Sequence, residues 1–343
     1  MRSIPSILSV LLVTQLASQN AWPDSDASHW LELSLKDRTI AVHPTTGEQR
    51  EAPDLEPRGI RSPDGSKIAF IATERESGRH TDLFVADLDP AQPSGKAEPR
   101  RITTTQQRPM NPHWFPDNRR LVFLALVNGA NQLFIADALA GKEPTMLSRG
   151  EHFATRPQVL ADGRIAYLQM VRREGKAQYH DLHVLTLAPD GNVPIKDQIL
   201  ISNTDIFGYA LCPDASQLVY STPGKLTIIT IATRDERVIE TKSIHKDMWF
   251  DVAYHIAWHP DGSLLAVQFR FPGGRLIDPD NPAASALFSD DKVFFIPITL
   301  GTKEQIGPEG PSQPWWFTLS DEHVTDLRWI AAPAANSPPQ RHD

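Results

Sequence analysis

Short apolar segments alternate with turn-forming residues along most of the chain. Five stretches share one order: an apolar strand, a turn built on Pro-Asp-Gly or a close variant, and a second apolar strand. The turn aspartates are Asp64, Asp117, Asp162, Asp214 and Asp261, which recur roughly every 50 residues. Repeats of this length are typical of arrays of supersecondary units, so the pattern predicts a repeat protein built from β-strands.

The composition of the turn explains why it recurs. Proline presets φ for the second turn position, aspartate can accept hydrogen bonds from the backbone that follows it, and glycine adopts the conformation that leads into the next strand. We therefore interpret the five turn aspartates as structural residues rather than catalytic ones.

Each unit continues with a third apolar strand, for example at 82–87 and 132–137, and a more polar fourth strand, for example at 101–103 and 145–148. Four strands per unit is the architecture of a propeller blade. The segment around Trp329 resembles a first strand, while 30–35 and 39–42 provide strands without a blade of their own. We predict an all-β fold over 22–332: a six-bladed β-propeller of four-stranded antiparallel blades, closed by N- and C-terminal strands in one blade.

The two ends differ from the repeat. Arg2, the apolar stretch 7–13 and the small and polar residues after it have the order of a secretory signal peptide, so we expect residues 1–21 to direct export. Because no ideal small-x-small triplet marks a cleavage site, removal of this segment and its retention as an anchor both stay open. The apolar stretch is too short to span a bilayer, and we expect no membrane span in the mature chain, which would be periplasmic or secreted. Residues 333–343 are rich in Pro, Ala and polar residues, which predicts a disordered tail.

Charge and cysteine content exclude several classes of protein. The chain has 34 Lys and Arg against 42 Asp and Glu, a formal net charge of −8, with no long basic run, which argues against nucleic-acid binding. Its single cysteine, Cys212, excludes an intramolecular disulfide and a cysteine-based zinc site. The sequence also lacks GxxxxGK[ST], GxGxxG, HExxH and GxSxG.

The repeated order of strand, Pro-Asp-Gly turn, Ile-Ala-Phe and Leu-Phe-Val-Ala-Asp resembles the propeller repeats of the TolB family, which are related to WD-type propellers. The resemblance covers roughly residues 30–329. It implies the propeller fold, a scaffold that hosts binding proteins, lyases and the propellers of prolyl peptidases. TolB carries an N-terminal α/β domain, whereas only about thirty residues separate the predicted signal peptide from the first full unit here, so we expect the propeller without that domain.

Alternating strand directions place the Pro-Asp-Gly turns on one face of a propeller. The connections between second and third strands, and those between blades, lie on the opposite face, called the loop-rich face below. Irregular loops such as 271–290 belong to the loop-rich face, where a rigid scaffold typically carries its function. The candidate ligand-binding residues on it are Arg108, His152, Arg172, His180, Asp205, His245, Arg275 and His323.

Three of these histidines suggest a metal site. His152, His245 and His323 come from different blades and each lies next to a carboxylate, a set of groups that suits a divalent metal. We nevertheless interpret them as solvated loop residues, because no ligand spacing forces them together, and we predict a divalent metal only under the lyase alternative below.

Other aromatic residues have structural interpretations. His255 and His259 lie an even number of residues apart on one strand, which favours a packing or capping role. His180 and His183 lie an odd number apart and point to opposite faces, which argues against a shared ligand. The aromatic stretch 315–317 either packs against the last blade or stacks on a sugar or peptide side chain.

Two functions remain open. The leading hypothesis is an exported, non-catalytic scaffold without a cofactor, whose loop-rich face binds an envelope protein or peptide. The alternative is a metal-assisted lyase resembling the oligogalacturonate lyases, in which a divalent metal acidifies the proton beside a uronate carboxylate and arginine binds that carboxylate of an acidic saccharide. A prolyl-peptidase propeller is disfavoured because its hydrolase domain and nucleophile motif are lacking.

Overall fold

A computed structural model shows how the repeat folds. It describes residues 29–35, 39–44, 48–51, 59–73, 81–88, 99–103, 108–139, 142–148, 153–171, 179–189, 193–244, 252–270, 291–298, 315–319 and 324–331. Within these ranges the strands form six antiparallel sheets of four strands each. The six-bladed propeller predicted from the repeat is confirmed.

The strands follow the predicted order of the blades. The first three, which belong to blade 6, are β1 (His29–Leu35), β2 (Thr39–Val42) and β3 (Gln49–Glu51). Blade 1 contains β4 (Ile60–Arg61), β5 (Lys67–Thr73), β6 (Thr81–Asp87) and β7 (Arg100–Arg101). Blade 2 contains β8 (Met110–Trp114), β9 (Arg120–Val127), β10 (Ala130–Asp137) and β11 (Thr145–Met146).

The later blades repeat the same arrangement. Blade 3 contains β12 (Phe153–Val159), β13 (Ile165–Val171), β14 (Tyr179–Leu187) and β15 (Pro194–Thr204). Blade 4 contains β16 (Gly208–Leu211), β17 (Gln217–Thr222), β18 (Lys225–Thr230) and β19 (Glu236–Glu240), and the short helix α1 (Thr241–Ile244) follows it. Blade 5 contains β20 (Val252–Trp258), β21 (Leu264–Arg270), β22 (Asp291–Pro297) and β23 (Trp315–Leu319), and β24 (Val324–Ala331) follows.

The two ends of the described chain close the ring. Strand β24 pairs antiparallel with β1, with Leu31 opposite Trp329 and Leu33 opposite Leu327, so that β24 is the inner strand of blade 6. This is the closure predicted from the positions of Trp30 and Trp329. It satisfies the backbone of both terminal strands, which would otherwise be exposed edges.

The core lies between the blades rather than at one centre. Alternate side chains of each strand pack against the blade on either side, as the junction of blades 4 and 5 shows, where Val219 and Leu226 meet Trp258 and Val267. Burying this apolar surface holds neighbouring sheets together. Trp114 and Trp258 lie at equivalent positions of inner strands, and each indole donates a hydrogen bond to a carbonyl of the preceding blade.

The turn aspartates have the structural role predicted for them. Asp64 accepts hydrogen bonds from the Ser62 hydroxyl at 2.7 Å and from the backbone N–H of Ser66 at 2.9 Å, and these bonds lower its pKa to about 2. Asp214 has the same environment, with the Cys212 thiol in place of the serine hydroxyl, and its pKa is also lowered to about 2. The cysteine therefore takes the place of a turn serine.

The residue after each turn aspartate adopts a left-handed conformation. Gly65, Gly163 and Gly262 fill this position in three turns, Asn118 in a fourth, and Ala215, with φ of 57°, in the fifth. Alanine is strained there because its Cβ approaches the following carbonyl oxygen.

We expect Ala215→Gly to raise the free energy of unfolding by about 0.5 kcal/mol, since relief of strain exceeds the entropy that glycine adds to the unfolded chain. The partial packing of the Ala215 methyl between blades 3 and 4 limits this gain. The midpoint of urea unfolding measures it. Gly163→Ala, the reverse change in a turn with open space around the added Cβ, should cost about 1 kcal/mol. A lower midpoint for Ala215→Gly would mean that methyl packing outweighs the strain.

The predicted signal peptide at 1–21 and the predicted tail at 333–343 lie outside the described residues. Among the residues that the structure describes, none forms a helix with the length and apolar character needed to cross a membrane.

Candidate functional site

The inner strands of the blades surround a central channel, and three of them are irregular near the loop-rich face. The register shifts between Met110 and His113 in β8, between Thr155 and Gln158 in β12, and between Ala253 and His255 in β20. Such bulges redirect side chains and are frequent beside functional sites. The strained backbone of β12 lies at Arg156, which has φ of 50°.

Arg156 links two blades that are not neighbours. Its Nη1 donates a hydrogen bond to the carbonyl oxygen of Tyr254 at 2.7 Å, so a side chain of blade 3 reaches blade 5. The guanidinium carbon lies 5.8 Å from the centre of the Tyr254 ring. Blade 4 lies between blades 3 and 5 and contributes Gly208, which has no side chain that could block the contact of Arg156 with Tyr254. It also contributes Tyr209, whose hydroxyl donates a hydrogen bond to the carbonyl oxygen of Arg156 at 2.6 Å.

Two histidines lie close enough to this arginine for its charge to act on them, and an aspartate lies equally close to one of the two. His180 begins β14, Asp205 lies between β15 and β16, and His255 follows the bulge of β20, so all three lie towards the loop-rich face. We call Arg156, His180, Asp205, Tyr254 and His255 the channel-mouth cluster.

Burial and the positive charge of Arg156 keep the histidines neutral. Burial, helped by Arg156, lowers the pKa of His255 to about 4. Burial also lowers the pKa of His180, where the charge of Arg156 acts in the same direction and the carboxylates of Asp205 and Asp181 oppose it. Both imidazoles are therefore uncharged at neutral pH, when each has one N–H donor and one acceptor nitrogen.

The cluster has hydrogen-bonding capacity that the described residues do not use. Within the described ranges, Arg156 forms no ion pair with a carboxylate. Its guanidinium makes one hydrogen bond to these residues, and the acceptor is the carbonyl oxygen of Tyr254. Burial lowers the pKa of Arg156, but a guanidinium stays charged at physiological pH. The Nδ1 atom of His180 is buried without a hydrogen-bond partner. A planar anion that accepts several N–H bonds, such as a carboxylate, fits this set of groups.

Three of the eight predicted site residues lie within the described residues. His180 and Asp205 come close enough for their charges to interact, and Arg156 joins them. Arg108 is exposed in the segment before β8, with φ of 49°, and no hydrogen bond or ion pair links it to the cluster. His152, Arg172, His245, Arg275 and His323 lie outside the described residues, so the prediction for them remains untested.

Sequence reasoning missed Arg156 because it searched the loops, whereas this arginine lies on an inner strand. A signal was present at the position six residues before each turn aspartate. In the sequence it holds Arg58, Asn111, Arg156, Gly208 and His255, which are all polar or small residues. Two of them, Arg156 and His255, belong to the channel-mouth cluster.

Two further histidines among the described residues have structural positions. His259 is buried, and its Nδ1 lies 2.7 Å from a carboxylate oxygen of the turn residue Asp261, which confirms the packing or capping role. His183 is buried on the face of β14 opposite His180, as the odd spacing predicts. The stretch 315–317 belongs to strand β23 (Trp315–Leu319), and its packing or stacking role stays a prediction.

No group of three His, Cys, Asp or Glu side chains that could hold a metal ion occurs among the described residues. The three histidines considered above as metal ligands, His152, His245 and His323, lie outside those residues. The metal-dependent alternative therefore stays an untested prediction.

A second recess, between blades 2 and 3, has a cavity volume of about 320 Å³. Its main polar groups are bonded to one another: the Tyr167 hydroxyl donates to Asp197 at 2.8 Å, and Nδ1 of His183 lies 3.0 Å from the other carboxylate oxygen. Burial alone would raise the pKa of Asp197, but these two hydrogen bonds lower it. Because both oxygens of Asp197 are already used, we place the candidate site at the channel mouth.

Comparison with known proteins agrees with this architecture. TolB from Acinetobacter baumannii superimposes with a TM-score of 0.55 at 13% identity, covering 88% of this chain and 66% of that one. A putative TolB from Agrobacterium tumefaciens gives a TM-score of 0.52 at 13% identity, covering 89% of this chain and 99% of that one. The chain has the fold of the TolB β-propellers.

At the level of sequence, this TolB-like propeller is 30% identical over 80 residues to the Tol-Pal system protein TolB of Thioalkalivibrio sulfidiphilus. That match covers 23% of the chain and only 17% of the relative. No family model matches the chain. The structural identities are low, so they establish the fold and not the activity.

Proposed function

We propose that this TolB-like propeller is a non-catalytic binding scaffold, and that a carboxylate of its protein or peptide ligand binds Arg156 in the channel-mouth cluster. The supporting observation is a charged guanidinium that is fixed across the channel by Tyr254 and has no ion-pair partner among the described residues. Binding a carboxylate there would supply the missing counter-charge.

The chemistry of the cluster favours a specific contact over general attraction. Arginine binds carboxylates through parallel N–H bonds, which fix the orientation of the ligand as well as its charge. The net charge of −8 disfavours acidic ligands at long range, so local hydrogen bonds at the cluster must provide the affinity. The two neutral histidines can add hydrogen bonds without bringing further charge.

We also propose that the protein is exported and that its ligand belongs to the cell envelope. The composition of residues 1–21 supports export, and the name of the matching relative refers to the Tol-Pal system. An acidic saccharide offers the same carboxylate chemistry, and it enters the test below as a competitor.

The experiment is selection of a displayed library of random peptides on the immobilised protein, followed by affinity measurement on selected synthetic peptides. We expect enrichment of peptides with acidic side chains or a free C-terminal carboxylate. Arg156→Gln should weaken their binding at least tenfold, about 1.4 kcal/mol, because one charged hydrogen-bonding partner is lost. Arg119→Gln is the matched control, since Arg119 lies in a Pro-Asp turn on the opposite face and pairs with Asp137.

Two further measurements make the result decisive. Urea unfolding of Arg156→Gln shows whether the variant keeps its fold, because loss of the Tyr254 bond alone should change stability only modestly. Polygalacturonate as a competitor separates the two classes of ligand. If this polymer displaces the bound peptide at a lower concentration than unlabelled peptide does, the saccharide is favoured. Equal affinity of the wild type and Arg156→Gln for acidic peptides would contradict the proposal.

A further inference from the structure

The six junctions between blades are not alike. Five are filled by apolar clusters to which both blades contribute. At the junction of blades 6 and 1, the described apolar cluster contains Ile68, Phe70 and Ala86 with their partly buried neighbours, all from blade 1. Among the described side chains, blade 6 therefore contributes no residue to an apolar cluster at this junction, whereas it does at its junction with blade 5.

The face of blade 6 at this junction carries charge. Leu31 and Leu33 of β1 pack towards blade 5, so alternation along the strand turns Glu32 towards blade 1. Glu32 is buried, with 9% of its surface exposed, and it lies opposite Arg328 in the register of β1 and β24. The Nε atom of Arg328 donates to the Glu32 carboxylate at 2.6 Å.

A second arginine enters from blade 1. Arg61 occupies the inner-strand position that Trp114 holds in blade 2 and Trp258 in blade 5, three residues before the turn aspartate. The indoles of those tryptophans donate hydrogen bonds to the preceding blade. Arg61 interacts with its preceding blade as well, because the charges that act on it are those of Glu32 and Arg328 in blade 6. Arg61 is half-buried, and burial lowers its pKa.

Among the described side chains, the charges at this junction do not balance. The guanidiniums of Arg61 and Arg328 interact with one described carboxylate, that of Glu32, which already accepts a hydrogen bond from Arg328. Arg61 makes no hydrogen bond or ion pair with any residue that the structure describes. In the nearby outer part of blade 6, the described carboxylate of Glu48 is already paired with Arg50 at 2.9 Å. A half-buried guanidinium with five N–H donors and a second guanidinium beside it is an environment that attracts an oxyanion.

We propose that the junction of blades 6 and 1 binds a small oxyanion, of the phosphate or carboxylate type, between Arg61 and Arg328. The site is separate from the channel-mouth cluster and does not depend on the proposed function. Because the anion would connect the inner strand of blade 1 to the closing strand of blade 6, its binding would stabilise the closed ring.

The test is thermal unfolding of the full chain in sodium chloride, sodium phosphate and sodium acetate at equal ionic strength and pH. For the wild type, we expect phosphate, acetate or both to raise the midpoint of thermal unfolding by about 2–4 °C relative to chloride. This shift applies when the anion concentration is roughly ten times its dissociation constant. Which anion acts at lower concentration distinguishes a phosphate source from a carboxylate source. Arg61→Gln should lose the shift, and in chloride it should be at least as stable as the wild type.

Arg119→Gln is again the control, because it removes an exposed arginine far from this junction and should keep the full shift. General salt effects act equally on all variants, so a shift of the same size in Arg61→Gln would overturn the proposal. If Arg61→Gln fails to fold, Arg61→Lys and phosphorus-31 NMR of phosphate mixed with wild-type protein decide the question. The site is supported if the anion stabilises Arg61→Lys less than the wild type and if the wild type broadens the phosphate signal. It is overturned if the wild type neither broadens the phosphate signal nor shows an acetate-dependent shift of the unfolding midpoint.

Discussion

Replacing Gly208 with alanine should lower the free energy of unfolding by about 2–4 kcal/mol, a large effect for one methyl group. A Cβ at this position would overlap the carbonyl oxygen of Ala253 and lie 2.8 Å from that of Tyr254. Both contacts are with the backbone of blade 5, which cannot move aside as a flexible side chain would. The inner strands of blades 4 and 5 must separate to accommodate the methyl group.

The same change should weaken ligand binding at the channel mouth. The Tyr254 carbonyl that the new methyl group approaches is the acceptor that fixes Arg156. Urea unfolding measures the stability, and affinity for the selected peptides measures the site. Both should decrease together in Gly208→Ala.

Gly262→Ala is the control for this prediction. Gly262 lies in the turn of blade 5 with φ of 77°, and an added Cβ would have no neighbour within 4 Å. Alanine there should cost about 1 kcal/mol through backbone strain alone, with unchanged peptide affinity. If Gly208→Ala costs no more than Gly262→Ala, the close approach of blades 4 and 5 is not rigid.

The contrast between these two glycines shows how far the sequence predicts the fold. Gly262 follows Pro-Asp, so its turn and its place in the repeat can be recognised from neighbouring residues. The same local signals predict the blades, because each depends on residues close together in the chain. Closure joins strands at opposite ends of the described chain, and it could be predicted because both ends carry strands without a blade of their own. Gly208 has no local signal, since the atoms that exclude a side chain there belong to another blade.

The candidate site follows the same rule. The loop-rich face, with His180 and Asp205, could be predicted from the alternation of strand directions. The contact of Arg156 with Tyr254 could not, because it depends on two β-bulges and on a strand two blades away along the ring. Bulges displace side chains without leaving a clear pattern of hydrophobic and polar residues.

Glu32→Gln should cost about 2–3 kcal/mol, because it leaves Arg328 and Arg61 without the single carboxylate between them. The amide can still accept a hydrogen bond from Arg328, so the loss reports the missing charge rather than a missing acceptor. Glu48→Gln is the matched control. Glu48 is exposed, and breaking its ion pair with Arg50 should change the free energy of unfolding by less than about 0.5 kcal/mol.

The double variant Glu32→Gln with Arg61→Gln tests the origin of the cost. If repulsion between unbalanced guanidiniums destabilises Glu32→Gln, removing Arg61 should restore about half of the lost stability, and the two substitutions will not be additive. Urea unfolding of the four variants in chloride measures this coupling. Additive effects, or a cost for Glu32→Gln no larger than that for Glu48→Gln, would mean that water already screens the charges between blades 6 and 1. A junction screened in this way would have no need of a bound anion.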